Sequence, residues 1–371
     1  MPKSFSNLWP QVTAWDDLVT AYQRCRRRKR YKSDAAQFDY EWETNLVQLQ
    51  RDLLDGSYRP GPYRHFHIQD PKPRKISAAP FRDRIVHHAV VAALEPIFER
   101  RFIHDSYACR RGKGTHRALD RAQSYLRNHR FFLKTDIVKF FPNVDHEVLL
   151  AVLSRSIRDE RLMDLIRIIA ASGEGVLADQ RTPAFFPGDD LFAVLRPCGL
   201  PIGNLTSQFF ANVLLDGIDH FVKEELRVPG YVRYADDLLL FADDKAQLWE
   251  IRDKLATRLA ALRLKLHPDK TQVAPCSHGV GFLGFHMTPN RRRLLRSGLR
   301  RFNRRLRLLR WRFANGMIDL RRITLSLRAW LAHTSSARNP TLMRSLLRLA
   351  SFQRPQTPKE KEGAVLIGLL D

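Results

Sequence analysis

Three carboxylates have the residue type and spacing for phosphoryl-transfer chemistry. Asp136 ends the apolar run 131–136, and Asp236 and Asp237 lie 100 residues later between two further apolar runs. Acidic side chains at the ends of apolar strands are costly unless something neutralises their charge. Hard divalent cations such as Mg²⁺ take carboxylate oxygens and substrate phosphates as ligands, and two of them about 4 Å apart stabilise the attacking and leaving oxygens. This chemistry needs Asp136 and Asp236 on neighbouring strands of one sheet.

The elements that must position these carboxylates follow from the apolar pattern. Three short apolar runs predict strands at 131–136, 231–234 and 238–241. The last two flank the turn Ala235-Asp236-Asp237, as in a β-hairpin. Three longer periodic segments predict helices at 147–171, 206–225 and 245–262. Strands that alternate with helices predict an α/β or α+β core.

Two other acidic pairs show that neighbouring aspartates alone are weak evidence. Asp189-Asp190 follows a Pro-Gly pair and Asp243-Asp244 precedes a lysine, so neither lies between two apolar strands. We expect both pairs to be exposed loop acids. The 234–237 turn differs because apolar strands flank it on both sides.

The charge balance indicates a polyanionic partner. The 371 residues carry 63 Lys and Arg against 39 Asp and Glu, a formal net charge of +24, which favours nucleic acid over a merely solubilising surface. Residues 291–312 contain 11 arginines around one apolar stripe, which predicts an amphipathic helix with a phosphate-binding face. A membrane-surface helix is the alternative.

The remaining segments predict a helical N-terminus and a basic hairpin region. Apolar stripes at 15–22 and 38–53 predict helices, the proline-rich segment 59–84 predicts extended segments or hairpins, and 85–98 predicts a helix. The four cysteines form no CxxC pair, and the N-terminus has no apolar signal-peptide core. We therefore expect a soluble protein of a reducing compartment, without a membrane partner.

Six sequence blocks, taken together and in order, resemble those of reverse transcriptases. They are PKPRKISAAPFRDRIVHHAV (71–90), LKTDIVKFFPNVDH (133–146), GLPIGNLTSQFFANVLL (199–215), RYADDLLLF (233–241), LKLHPDKTQV (264–273) and GFLGF (281–285). In that family these blocks are the basic fingers, the first aspartate, the nucleotide and template pocket, the active-site turn, the lysine-bearing block and the primer grip. Six ordered blocks are far more specific than any one of them.

The resemblance covers about residues 60–335 and implies an α+β right-hand polymerase. This fold has fingers, a ferredoxin-like palm (an antiparallel sheet backed by helices) and a helical thumb. We expect an N-terminal helical extension at 1–60, fingers and palm at 61–285, a basic thumb at 286–350 and a C-terminal tail at 351–371. The implied activity is RNA-directed DNA polymerisation with two Mg²⁺ ions, or Mn²⁺ in their place.

The resemblance also assigns roles to individual residues of this chain. The metal site would comprise Asp136, Asp236, Asp237 and Ile137, with Lys270 as a catalytic general acid or, equally, an ordinary surface lysine. The incoming nucleotide would contact Lys72, Arg74, Phe141, Ile202, Gly203 and Gln208. Phe141 fits the gate that excludes a ribose 2′-hydroxyl, and Phe140 is its rival, since on a strand the two would point oppositely. Nucleic acid would contact Arg111, Lys113, Arg300, Arg304 and Arg307.

The pocket block narrows the resemblance to one subfamily. LPIGNLTSQ is similar to the reverse transcriptases of diversity-generating retroelements, which implies error-prone copying of a template-repeat RNA. It also implies a primer–template duplex, deoxynucleoside triphosphates and a small basic accessory protein as partners, in the cytoplasm of a bacterium or archaeon or encoded by a phage. Residues 173–198 form a long link that the resemblance does not explain.

Other functions remain open at this stage. A phage-defence or retron-like reverse transcriptase with a dedicated non-coding RNA shares the same palm. A non-catalytic RNA-binding scaffold would keep the fold, but all three aspartates are present. A nucleotidyl cyclase needs no basic fingers or thumb.

Overall fold

The computed structural model describes residues 4–69, 73–337 and 352. The predicted nucleotide contact Lys72, the end of the expected thumb at 338–350 and, apart from Phe352, the expected tail at 351–371 lie outside these residues. The chain forms two compact units, Met1–Pro275 and Cys276–Asp371. Each unit is described by itself.

The first unit contains eleven of the described helices and six of the described strands. The helices are α1 (Trp9–Thr13), α2 (Trp15–Arg26), α3 (Ser33–Tyr40), α4 (Trp42–Leu54), α5 (Phe81–Glu99), α6 (Thr115–Asn128), α7 (Phe140–Asn143), α8 (His146–Ser154), α9 (Glu160–Ala171), α10 (Leu205–His220) and α11 (Lys245–Ala260). The strands are β1 (Arg64–Ile68), β2 (Arg74–Ala78), β3 (Phe131–Asp136), β4 (Gly230–Tyr234), β5 (Asp237–Ala242) and β6 (Gln272–Pro275).

The central sheet of this unit has the order β4-β5-β3-β6, and its neighbouring strands are antiparallel. Apolar side chains fill both faces of β5, where Leu238, Leu239, Leu240 and Phe241 are all buried. Continuous apolar runs of this kind are typical of strands covered on both faces, and α6 and α11 pack against the sheet. Helices combined with antiparallel sheets confirm the expected α+β class.

A second layer of the first unit is built around the buried helix α5. The N-terminal helices α1, α2 and α3 pack against it on one side, and α10 packs against it as well. The stripe of α2 that faces this core contains Leu18, Tyr22 and Cys25, all buried. The proline-rich region forms the β1–β2 hairpin, with Arg64 opposite Ala78 and Ile68 opposite Arg74, as the prolines predicted.

Two predicted helices of this unit differ from the structure. The segment 147–171 forms two helices because the chain turns after Ser154 and Asp159 caps α9 by accepting a hydrogen bond from the Leu162 amide. The same carboxylate accepts from the amides of Leu8 and Trp9, each at 2.7 Å, and so fixes the N-terminus to this turn. The segment 206–225 forms α10 followed by a π-helical turn, Phe221–Glu225.

The expectation for Asp189 was wrong. The Asp189 carboxylate is largely buried and pairs with Arg196 through two hydrogen bonds of 2.9 and 2.6 Å. It also accepts from the Phe186 amide. The preceding Pro-Gly pair did not reveal this, because the arginine comes seven residues later.

Within its described residues, the second unit contains a three-stranded antiparallel sheet and two α-helices. Its elements are β7 (Val280–Phe282), β8 (Phe285–Met287), β9 (Arg292–Leu294), α12 (Arg296–Ala314) and α13 (Leu320–Thr334). The basic helix was predicted over 291–312, but α12 begins only at Arg296. The Thr288 amide donates to the Arg291 carbonyl, and this turn pairs residues 292–294 with β8 instead. Phe302, Leu306 and Phe313 are buried on α12, and the Phe302 ring stacks on Trp330 of α13 at 3.7 Å. No helix of the described residues is long and apolar enough to cross a membrane.

Candidate active site

The three predicted aspartates meet at one end of the central sheet. β3 and β5 run antiparallel in a register that places Asp136 directly opposite Asp237. Asp236 lies in the β4–β5 turn beside them. Burial and the negative charges of Asp136 and Asp237 raise the pKa of Asp236 from its ordinary value to about 7. Three carboxylates in one place therefore repel one another, as in a site designed to receive a cation.

A two-residue turn aims Asp236 at this cluster. Tyr234 pairs with Asp237, so only Ala235 and Asp236 connect the two strands. Ala235 adopts a left-handed backbone with φ of 56°, the conformation that tight hairpin turns require of a first central residue. The hydroxyl of Tyr234 lies 3.1 Å from that of Thr115 at the start of α6, which fixes the turn from the side.

Asp136 is held by main-chain bonds on one side and a lysine on the other. The His267 amide donates to the Asp136 carbonyl at 2.7 Å. Lys270 Nζ is ion-paired with Asp136 Oδ2. Asp136 Oδ1 is buried and, within the described part of the chain, accepts no hydrogen bond. One oxygen of this carboxylate is therefore available to a ligand.

The cluster does not already have the form of a metal centre. Among residues 4–69, 73–337 and 352, no group of three or more His, Cys, Asp or Glu side chains is arranged to hold a metal ion. The side chain of the fourth predicted ligand, Ile137, is apolar and buried, so only its main-chain carbonyl could coordinate. Binding a cation here requires Lys270 to leave Asp136 or to share it.

The predicted nucleotide pocket is assembled from two distant segments. The Ile202 carbonyl accepts from the Ser77 amide of β2 at 2.8 Å. The Asn204 side chain accepts from the Ala79 amide at 3.1 Å and donates to the Ser77 carbonyl at 3.0 Å. The block that begins at Gly199 is thereby fastened along the basic hairpin.

Gly203 permits this close approach. Its φ is +119°, and a Cβ at this position would lie 2.7 Å from Cγ2 of Ile76. Any other L residue at position 203 would have a strained backbone conformation, and its side chain would overlap with Ile76 of β2. Gln208 on α10 and Arg74 at the start of β2 are both exposed.

The neighbour of Arg74 joins the hairpin to the unexplained link 173–198. Lys75 Nζ donates to the Val176 carbonyl at 2.9 Å and lies 3.5 Å from the Asp179 carboxylate. The link is also fastened to the segment after β3, because the Thr182 amide donates to Asn143 at 3.2 Å. It therefore contacts both the basic hairpin and the last residue of α7.

The two candidate gate residues lie in a helical turn and not on a strand. Phe140 and Phe141 belong to α7, so the alternation assumed for a strand does not apply. The Phe140 ring is 1 % exposed in the core. Phe141 is only partly buried and contacts Phe140 edge to face at 5.4 Å. Phe141 is thus the one of the two that reaches the surface.

The predicted nucleic-acid contacts fall in both units. Arg111 is exposed. Lys113 Nζ donates to the His104 carbonyl at 2.7 Å and lies over the Tyr107 ring at 5.2 Å. In the second unit Arg300, Arg304 and Arg307 of α12 are exposed on the face opposite its buried stripe.

Sequence reasoning missed a buried polar group behind the active-site turn. Arg233 of β4 is fully buried with Asp219 and next to Asn212 of α10. A signal for it existed, because Asn212, Asp216 and Asp219 recur at helical spacing inside an otherwise apolar segment. Polar residues on a buried helix face require partners.

Comparison with known proteins agrees with this geometry. The family model described as "Reverse transcriptase (RNA-dependent DNA polymerase)" matches residues 68–287, a range that contains all three aspartates and Lys270. The chain is 27 % identical over 288 residues to Protein YkfC of Escherichia coli K12, which covers 67 % of this chain and 72 % of YkfC.

Two further relatives are longer proteins named for introns. The group II intron-encoded protein LtrA of Lactococcus lactis is 27 % identical over 183 residues, 48 % of this chain and 28 % of LtrA. The mitochondrial nuclear intron maturase 2 of Arabidopsis thaliana is 28 % identical over 185 residues, 44 % of this chain and 25 % of that protein. The match therefore spans about a quarter of each of these two relatives. Since the family model covers more than half of the chain and the aspartates meet as its blocks require, this chain belongs to the reverse transcriptase family.

Proposed function

We propose that this chain is an RNA-directed DNA polymerase that extends a primer on an RNA template. The observation that carries the proposal is the register of β3 and β5, which sets Asp136 opposite Asp237 beside the turn residue Asp236. A non-catalytic scaffold would have no need to keep three mutually repelling carboxylates together. The positive net charge of +24 also suits a nucleic-acid substrate.

The acidic cluster suits divalent cations. Asp136, Asp236 and Asp237 offer hard oxygen ligands, and the buried Oδ1 of Asp136 accepts no hydrogen bond from the described residues. Two Mg²⁺ ions, or Mn²⁺, would supply charge stabilisation for the attacking and leaving oxygens when bound. Ile137 would add a main-chain oxygen.

The reaction joins the primer 3′-oxygen to the α-phosphorus of a deoxynucleoside triphosphate and breaks the bond to pyrophosphate. We assign Arg74 and Lys72 to the triphosphate, where fixed cations offset developing charge. We assign Lys270, which is ion-paired with Asp136, to give a proton to the departing pyrophosphate. Phe141 is assigned to exclude the ribose 2′-hydroxyl.

The nucleotide and duplex are held by the remaining predicted residues. Ile202, Gly203 and Gln208 border the nucleotide and template pocket. Arg111 and Lys113 contact the template, and Arg300, Arg304 and Arg307 contact backbone phosphates of the primer–template duplex without reading sequence.

The RNA that this polymerase copies is the finer part of the proposal. The string LPIGNLTSQ supports the template-repeat RNA of a diversity-generating retroelement, copied with errors at adenines and with a small basic accessory protein, in the cytoplasm of a bacterial or archaeal host. A second candidate, an intron-type RNA, is favoured by the names of LtrA and the intron maturase. A phage-defence or retron-like RNA is the third.

One experiment separates these candidates. The full chain is purified with the RNA it retains, supplied with Mg²⁺ and four deoxynucleotides, and its cDNA is sequenced beside that of Asp236→Asn. Substitutions concentrated at template adenines would support the retroelement proposal. Faithful cDNA from a structured RNA would overturn that subtype in favour of an intron-type or defence RNA. An absence of cDNA from the parent, with RNA retained, would overturn polymerase activity itself.

A further inference from the structure

A guanidinium lies directly behind the catalytic turn, with no exposure to solvent. Arg233 Nε donates to Asp219 Oδ1 at 2.7 Å and its Nη2 donates to Asp219 Oδ2 at 2.6 Å. Both side chains are 0 % exposed. The third nitrogen, Nη1, donates to Asn212 Oδ1 at 3.0 Å and to the Ala235 carbonyl at 3.3 Å. All three guanidinium nitrogens therefore have acceptors, and one acceptor belongs to the turn.

The other end of this contact is firmly anchored. Asp219 also accepts from the Tyr231 hydroxyl at 2.7 Å, and the Asn212 amide donates to the Ala108 carbonyl at 2.9 Å. The main chain of Arg233 is held as well, because its amide donates to the Asp105 carbonyl and its carbonyl accepts from the Tyr107 amide. The guanidinium cannot shift without breaking several buried hydrogen bonds.

The turn needs such a support because its backbone is strained. Ala235 has a left-handed φ of 56°, which costs free energy for any residue except glycine. Its carbonyl precedes Asp236, so a rotation of this peptide would move the Asp236 side chain relative to Asp136. A buried ion pair adds little net stability compared with well-packed apolar side chains. Stability of the fold therefore does not explain why the Arg233 guanidinium contacts the turn.

We propose that Arg233 is a positioning residue of the polymerase reaction, fixing the Ala235 carbonyl so that Asp236 stays in line with Asp136 and Asp237. Asp219 and Asn212 hold the guanidinium for this task. The inference rests on the proposed polymerase function and deepens it. Arg233 touches no substrate in this scheme; it acts through the turn.

The test compares three variants by pre-steady-state burst kinetics of primer extension, with RNA template–primer and deoxynucleotide in excess over the enzyme. Arg233→Lys keeps a charge beside Asp219, but one ammonium nitrogen cannot span Asp219 and the Ala235 carbonyl. The double variant Arg233→Met/Asp219→Leu removes both buried charges with similar volume, which protein cores commonly tolerate. Tyr58→Phe is the matched control, because it removes another buried hydroxyl–carboxylate hydrogen bond, to Asp83 at 2.9 Å, that is not part of the Arg233 network.

We expect both Arg233 variants to lower the rate constant per active site by about 10- to 100-fold, as misplacement of a reacting group does. The burst amplitude, the KM for deoxynucleotide and the Kd for RNA should stay within about threefold of the parent. A purely structural role would lower the burst amplitude and the melting temperature and leave the rate constant of the folded fraction unchanged. Tyr58→Phe should keep the parent rate constant.

Two outcomes would overturn the inference: a folded Arg233 variant with the parent rate constant, or an equal loss of the rate constant in Tyr58→Phe. If Arg233→Lys does not fold, the double variant decides the question by the same measure. If the parent protein extends no primer, the proposed polymerase function is overturned instead. This failure is separate from failure of the inference, because the parent is measured before any variant is compared with it.

Discussion

The ammonium of Lys270 is ion-paired with Asp136, the carboxylate that ends the first strand of the acidic cluster. The lysine therefore occupies one oxygen of a proposed metal ligand. A cation that binds Asp136 through this oxygen must compete with the ammonium. In the proposed reaction, the same lysine would hold the acidic cluster together before a cation binds and would supply a positive charge beside the triphosphate afterwards.

Lys270→Met should lower the Mg²⁺ concentration that gives half-maximal extension, because the competing ammonium is gone. The maximal rate should fall by about 100- to 10,000-fold if Lys270 also donates a proton. Titrating Mg²⁺ in steady-state extension measures both quantities. Lys265→Met, which removes an exposed lysine from the same segment, is the control and should change neither. An unchanged Mg²⁺ requirement in Lys270→Met would contradict the competition.

Asp236→Asn should abolish primer extension and leave RNA affinity nearly intact. The substitution removes a metal-binding charge without altering the shape of the turn. Extension and filter binding on the same RNA measure the two effects. Asp243→Asn changes an exposed acid at the far end of β5, where it accepts from the Arg130 amide, and should remain active. Equal activity of Asp236→Asn and the parent would refute the metal assignment.

Phe141→Ala should admit ribonucleotides, because it removes the partly exposed ring assigned to the gate. Phe140→Ala should instead cost about 3–5 kcal/mol of stability, as truncation of a core aromatic usually does, without a change in sugar selectivity. Competition between dATP and ATP, together with urea denaturation, distinguishes the two variants. If Phe140→Ala alone incorporates ribonucleotides, the gate is Phe140 and the assignment to Phe141 is wrong.

Gly203→Ala should strongly impair both folding and extension. The new Cβ would lie 2.7 Å from Ile76 Cγ2 at a φ of +119°, so steric overlap and backbone strain act together. Adding Ile76→Ala removes the overlapping methyl and should restore part of the loss, while the strain remains. Thermal melting of the two single variants and the double variant measures this coupling. Strictly additive effects would show that the overlap is not the cause.

Arg300, Arg304 and Arg307, replaced together by glutamine, should weaken RNA binding and flatten its salt dependence. Each lost phosphate contact reduces the slope of log K against log salt by about 1. The matched triple variant Lys245→Gln/Lys254→Gln/Arg258→Gln removes the same charge from the exposed side of α11 and should keep the parent slope. If the salt slope of RNA binding is the same in both triple variants, the three α12 arginines do not contact the duplex.

The local pattern was sufficient for the elements that carry the active site. Apolar runs placed β3, β4, β5 and the turn between β4 and β5 within a residue or two. The family blocks predicted that Asp136 and Asp236 would lie together and that Asp237 would complete the acidic cluster. The prolines predicted the β1–β2 hairpin. Strong local patterns of this kind predict the folded structure correctly because the tertiary contacts favour the same elements.

Other features depended on short elements and side-chain contacts that leave no periodic pattern in the sequence. Whether Phe140 or Phe141 faces the core depends on the one-turn helix α7, which is too short to leave a periodic signal. The Asp189–Arg196 pair and the split of 147–171 into two helices depend on ionic and capping contacts. The pairing of Lys270 with Asp136 joins residues 134 positions apart. No window of sequence contains both halves of such contacts.

The hydrogen bond from Lys75 to the Val176 carbonyl connects the basic hairpin to residues 173–198. Lys75 follows Arg74 in the same strand, so a triphosphate that attracts Arg74 as proposed would also pull on the 173–198 link. The link is also fastened to Asn143, the last residue of α7. Two hydrogen bonds of residues 173–198 therefore connect the strand of Arg74, assigned to the triphosphate, with the helix of Phe141, assigned to the gate.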